Sequence, residues 1–95
     1  MPIRWLRDAV LDLIELRQYI AQDNPNTAQD IARRIIMSVQ QLRDSPSMGR
    51  IGRVEGTREL VISGLPYIIP YRVKNRVVEV LRVLHGARKW PTEFE

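Results

Sequence analysis

The cationic residues of the second half of this chain include Arg50, Arg53, Arg58, Arg72, Arg82, His85, Arg88 and Lys89, and Tyr67 and Tyr71 stand among them. Residue types of this kind suit phosphodiester chemistry. Cleavage through a ribose 2′-hydroxyl needs a group to take its proton, a cation to stabilise the phosphorane, and an acid for the leaving 5′-oxygen. Histidine, arginine and tyrosine or lysine supply those three roles. Each residue also has a structural reading. His85, the sole histidine, suits a strand end, hydrogen-bonded to backbone or to Glu79. Arg82 lies within Val80-Leu81-Arg82-Val83-Leu84, where a charge is costly unless paired, so it is either half of an internal ion pair or part of a site. Tyr67 and Tyr71 alternate with Ile69 and Val73, as a half-buried strand requires. Trp90-Pro91 reads as a packing anchor rather than a base-stacking platform.

Other chemistries lack their residues. No glycine-rich phosphate loop opens a helix, no carboxylate pair has metal-ligand spacing, and no serine sits in a nucleophile elbow. One histidine with no cysteine builds no zinc site, and no disulfide framework exists. No metal or cofactor is therefore expected.

The elements that must position the basic residues follow from periodicity. Ile3 and Trp5 alternate with Pro2 and Arg4, which suits a short first strand over 2–6. Val10, Leu13, Ile14, Arg17 and Ile20 then recur at helical spacing, predicting a helix over 8–22 with Asp8 as its N-cap. Asp23-Asn24-Pro25-Asn26 breaks it. A second helix starts with Asn24 as cap and Pro25 at the first position, or two residues later with Thr27 as cap. Its stripe is Ala28, Ile31, Ala32, Ile35, Val39 and Leu42, and so short a connection makes the two helices antiparallel neighbours. Residues 44–56 hold three glycines, a proline and no usable period, so they read as a loop carrying Arg50 and Arg53. Strands are expected over 57–63, with Leu60 and Ile62 on one face, over 67–73, and over 77–85 after a tight Lys74-Asn75-Arg76 turn. Whether Arg72 and Arg82 share a surface depends on the register of the last two strands. Pro70 cannot donate to a ladder, so its nitrogen must face away from a paired neighbour, sit at a bulge or lie where the sheet ends. The expected class is α+β: an antiparallel-type sheet of about four strands packed against an N-terminal helical hairpin, in the order β-α-α-β-β-β, as a single domain over 1–95.

Charge divides the chain at its middle. Residues 1–49 hold six arginines and six acids, whereas residues 50–89 hold nine basic residues against Glu55, Glu59 and Glu79. Thirteen of the fifteen cations are arginine, whose planar fork favours phosphate or carboxylate and points to nucleic acid or an acidic protein segment as partner. Charge appears too early for a signal peptide, and no apolar run approaches the ~20 residues of a membrane span. A cytoplasmic protein without membrane contact is expected.

Asn24-Pro25, Ser45-Pro46-Ser47-Met48-Gly49-Arg50, Thr57-Arg58-Glu59-Leu60-Val61, Pro66-Tyr67-Ile68-Ile69-Pro70-Tyr71-Arg72-Val73 and Leu81-Arg82-Val83-Leu84-His85-Gly86-Ala87-Arg88-Lys89-Trp90-Pro91 resemble, in order and spacing, the RelE/ParE family of bacterial toxins. The resemblance implies the toxin of a type II toxin–antitoxin operon, held inactive by a cognate antitoxin and touching operator DNA only indirectly, through that antitoxin. RelE-like members cleave messenger RNA in the ribosomal A site, and ParE-like members poison DNA gyrase and are not enzymes of RNA cleavage. By resemblance, Arg58, Arg72, Arg82, His85 and Arg88 occupy strand positions where nuclease members keep catalytic residues. The loop carries arginines where a lysine pair would strengthen the nuclease reading, and the Arg-Val-Leu-His-Gly close resembles the ParE side. The expectation is a ParE-like inhibitor of gyrase; a ribosome-dependent endoribonuclease and an inert antitoxin-binding module of an autorepressor complex are the alternatives.

Overall fold

The computed structural model describes residues 1–94. Among them the elements run β1 (Ile3–Trp5), α1 (Arg7–Ala21), α2 (Pro25–Gln40), a 3-10 turn (Gln41–Arg43), β2 (Arg50–Ile51), β3 (Arg58–Val61), β4 (Tyr67–Lys74), β5 (Val77–Val80) and β6 (Leu84–His85). The strands form one sheet in the order β1-β5-β4-β3-β2, and β6 pairs β4 beyond the end of β5. The α+β expectation holds, with six short strands in place of about four and with β1 parallel to β5 in an otherwise antiparallel sheet.

The helical hairpin covers one face of this sheet. On α2 the expected stripe is the buried one: Ala28, Ala32, Ile35, Val39 and Leu42 are buried, and Ile31 packs against them. On α1 the stripe is rotated from the expected position. Ala9 is buried and Leu13 and Leu16 pack on the core, whereas Val10, Leu11 and Ile14 lie exposed. Two neighbouring rows of this helix have apolar residues at helical spacing, and the smallest residue, Ala9, is where the helix meets the core. Asn24 caps α2, its side chain accepting from the Thr27 amide at 3.1 Å. Asp8 does not cap α1: the N-cap is Leu6, without a side-chain bond, because Leu6 still extends the strand, donating its amide to the Val80 carbonyl at 3.0 Å.

From the sheet, Leu60, Ile62, Ile69, Tyr71, Val78 and Val80 complete the core. Arg50 and Ile51, expected in a loop, pair with Glu59 and Arg58 as an edge strand too short to show a period. The expected strand over 77–85 is interrupted. Tyr71 pairs with Val80 and Ile68 with Leu84, so the two residues Ile69 and Pro70 face the three residues Leu81, Arg82 and Val83, which is a bulge. Pro70 explains its place. Its carbonyl accepts from the Leu81 amide at 2.9 Å, and an extended residue turns N and O to the same side, so the missing donor faces the broken ladder.

Candidate functional site

The bulge delivers Arg82 to α1. Its guanidinium holds Asp12 through Nε to Oδ2 at 2.6 Å and Nη2 to Oδ1 at 3.0 Å, and Asp12 Oδ2 also accepts from the Val83 amide at 2.9 Å. One carboxylate thus satisfies a fork and the amide that the bulge releases from the ladder. The hydrogen bond to Asp12 raises the Arg82 pKa despite partial burial, helped by the charges of Asp12, Asp8 and Glu15. Of the two readings of Arg82, the structure shows the internal pair.

Around this lock lies an open cleft of about 780 Å³, between α1 and the end of the sheet. Tyr19 and Glu15 line it from the helix, and Tyr67, His85, Arg88 and Lys89 line it from the other side. The His85 ring stands edge-on to Tyr67, with centroids 5.9 Å apart. Its Nδ1 accepts from the Ala87 amide at 3.1 Å. That is the backbone-bonded histidine of the structural reading.

The face of the sheet away from the helices is built by charge. Glu59 is buried on β3, and one of its oxygens accepts Arg50 Nη2 at 2.9 Å and Nε at 3.1 Å, while the other accepts the Arg53 amide at 2.8 Å. Burial pushes its pKa up, but the Arg53 amide, the Arg50 guanidinium and both positive charges outweigh that and leave it lowered. On β5, Glu79 accepts from Arg72 Nε at 2.8 Å and lies 3.8 Å from Arg4. The Arg72 bond lowers the Glu79 pKa against a smaller effect of burial, and Arg72, Lys74 and Arg4 add their charges. Arg53 also lies over the Trp90 ring at 3.6 Å from its centroid, and Trp90 Nε1 donates to the His85 carbonyl at 3.2 Å, so Trp90 is the expected packing anchor. Burial raises the Tyr71 pKa against the Gly49 bond and the Arg58 charge. Its hydroxyl donates to the Pro46 carbonyl at 2.7 Å and accepts from the Gly49 amide at 2.8 Å.

Of the five residues marked by the sequence, Arg82, His85 and Arg88 line the cleft. Arg72 lies elsewhere, beside Lys74 and Thr57 in a separate recess, and does not join Arg82. Arg58 is spent on the Gly49 carbonyl at 2.8 Å. Sequence reasoning missed Asp12 and Glu59, and it offered Glu79 as a partner for His85 where the structure gives it to Arg72. The two glutamates carry the same signal as Arg82, a charge inside an apolar strand, whereas Asp12 needed the rotation of α1. Among the described residues no group of three or more histidine, cysteine or acidic side chains is placed to hold a metal, and no helix is long and apolar enough to cross a membrane.

Two antiparallel helices on one face of a mixed sheet define a fold already known in solved structures. A chain of the structure described as "Chromosomal ParDE TA system from P. aeruginosa" superposes with a TM-score of 0.80 at 29% identity, over 87% of this chain and 92% of that one. The family profile "ParE toxin of type II toxin-antitoxin system, parDE" matches residues 3–90. "Putative toxin Y4kP" of Sinorhizobium fredii is 45% identical over 94% of this chain and 92% of its own length. "Toxin RelE2" of Caulobacter vibrioides is 37% identical over 88% and 93%. The chain belongs to the ParE toxin family, within the RelE/ParE group of type II toxin–antitoxin toxins. With that membership comes a cognate antitoxin as partner.

Proposed function

We propose that this toxin acts on DNA gyrase rather than as a ribosome-dependent nuclease, and that it works in the cytoplasm. The supporting observation is what the expected catalytic groups are doing. Arg82 is pinned to Asp12, Arg72 to Glu79 and Arg58 to a loop carbonyl. His85 has its Nδ1 taken by the Ala87 backbone amide, which occupies one of the two nitrogens a base could use to take a 2′-hydroxyl proton. Tyr71 is wholly buried with both hydroxyl roles occupied. The relatives carry ParE-type and RelE-type names alike, so the geometry is what favours gyrase.

The antitoxin contact we assign to the apolar residues that the helices leave exposed, Val10, Leu11 and Ile14 on α1 and Ile36 and Met37 on α2. A segment that folds on binding would cover it with its own apolar side chains. Purified toxin added to gyrase and relaxed plasmid should block supercoiling and trap cleaved DNA, and should leave messenger RNA on programmed ribosomes uncut. Cut messenger with unaffected gyrase would overturn the assignment, and no effect in either assay would favour the inert binding module.

A further inference from the structure

The β4–β5 hairpin projects past its neighbours. Pairing of β3 to β4 ends at Tyr71, and pairing of β1 to β5 begins at Val78, so residues 73–77 extend beyond both flanking ladders. Val73 is 47% exposed, and Lys74, Asn75 and Arg76 are exposed with it. The two-residue loop is Asn75-Arg76, with φ of 52° and 62°. Among the described residues these are the two non-glycine positions with positive φ. Such a loop favours glycine at its second position, because a β-carbon crowds the backbone there. The chain carries an arginine at that point, with Lys74 before it and Arg72 and Arg4 behind, both turned to Glu79. Glu55 and Glu93 line the recess beside Lys74 and Arg72, so the charge projecting from the fold is that of the tip.

We propose that this prong contacts the phosphate backbone of duplex DNA directly. An exposed side chain held in a disfavoured backbone conformation, where glycine would fit better, points to a role for the side chain itself. A two-stranded ribbon is of a width that the major groove admits. Residues 72–76 include no aromatic side chain, and single-stranded nucleic acid is gripped largely by stacking. The contact is independent of which target the toxin arrests, and it adds a direct DNA contact to one that the family resemblance routes through the antitoxin.

The test uses the full chain, a labelled 20-bp duplex of arbitrary sequence (about two turns at about 10.5 bp each) and a series of salt concentrations. Arg76→Gly should melt at a higher temperature than the native protein and yet bind the duplex several-fold more weakly, with a salt slope shallower by about one. Arg76→Gln, which keeps the backbone conformation and loses the charge, should show the same binding loss without the gain in stability. Arg17→Ala, an equal charge change on the exposed side of α1, should leave a markedly smaller loss. Equal losses for Arg17→Ala and Arg76→Gly would reduce binding to net charge and overturn the proposal. So would unchanged affinity in Arg76→Gly, or tighter binding of a single-stranded RNA that shows the same loss.

Discussion

The two faces of the sheet are made by the same strands and held by opposite means. Toward the helices, Ile69, Tyr71, Val78 and Val80 meet Ile35 and Val39 in a core held by shape. Away from them, Glu59 and Glu79 lie buried under Arg50, Arg53, Arg72 and Arg4, with Trp90 beneath Arg53. Apolar burial tolerates modest changes of shape, but a buried carboxylate needs every partner in place. The basic half of the chain is therefore less free than its net charge suggests. Several of its arginines are structural, and the cations left for a partner stand at the cleft rim and the hairpin tip.

The contrast is broken most strongly from the inner side. Ile35→Ala removes a fully buried side chain and should cost about 2–5 kcal/mol by denaturant titration. On the outer face, Glu59→Ala should cost less, about 1–3 kcal/mol, because it strands the Arg53 amide while the two guanidinium groups remain half exposed and regain water. Tyr71→Phe tests a residue that joins core to loop. It keeps the ring but leaves the Gly49 amide and Pro46 carbonyl without partners, for a loss of about 1–2 kcal/mol and a loosened 44–50 segment in hydrogen exchange. The smallest effect is acid sensitivity. Glu59 and Glu79 have pKa values lowered below the ordinary 4.5, so their contribution is complete above that value and is lost as pH falls through the lowered ones. Thermal melts should fall away below about pH 4.5, and the Glu59→Gln, Glu79→Gln double variant should flatten that decline.

Much of the architecture was legible because its signals are local. The stripe of α2, the Asn24-Pro25 start and the alternation of Ile69 and Tyr71 each fix an element without help from distant residues. The site was less legible because its partners are distant in sequence. Arg82 announced the need for a counter-charge, but Asp12 lies seventy residues away on a helix whose rotation Ala9 decides. The bulge at Leu81–Val83 was foreshadowed by Pro70 and could be placed only once the register of both strands was known. Arg72 and Arg82 are apart because Arg72 shares the outer face of the sheet with Glu79, whereas Arg82 turns to Asp12 on α1.

The central proposal is that this toxin acts on gyrase, and it rests on Arg58, Arg72 and Arg82, three of the arginines expected to cut RNA, being engaged within the fold. Its most direct test is induction of this chain without an antitoxin in a bacterial host, with DNA breaks and transcript ends sampled within minutes of growth arrest. The account predicts gyrase-dependent breaks and intact transcripts. Transcripts cut in phase with codons, over intact DNA, would contradict it.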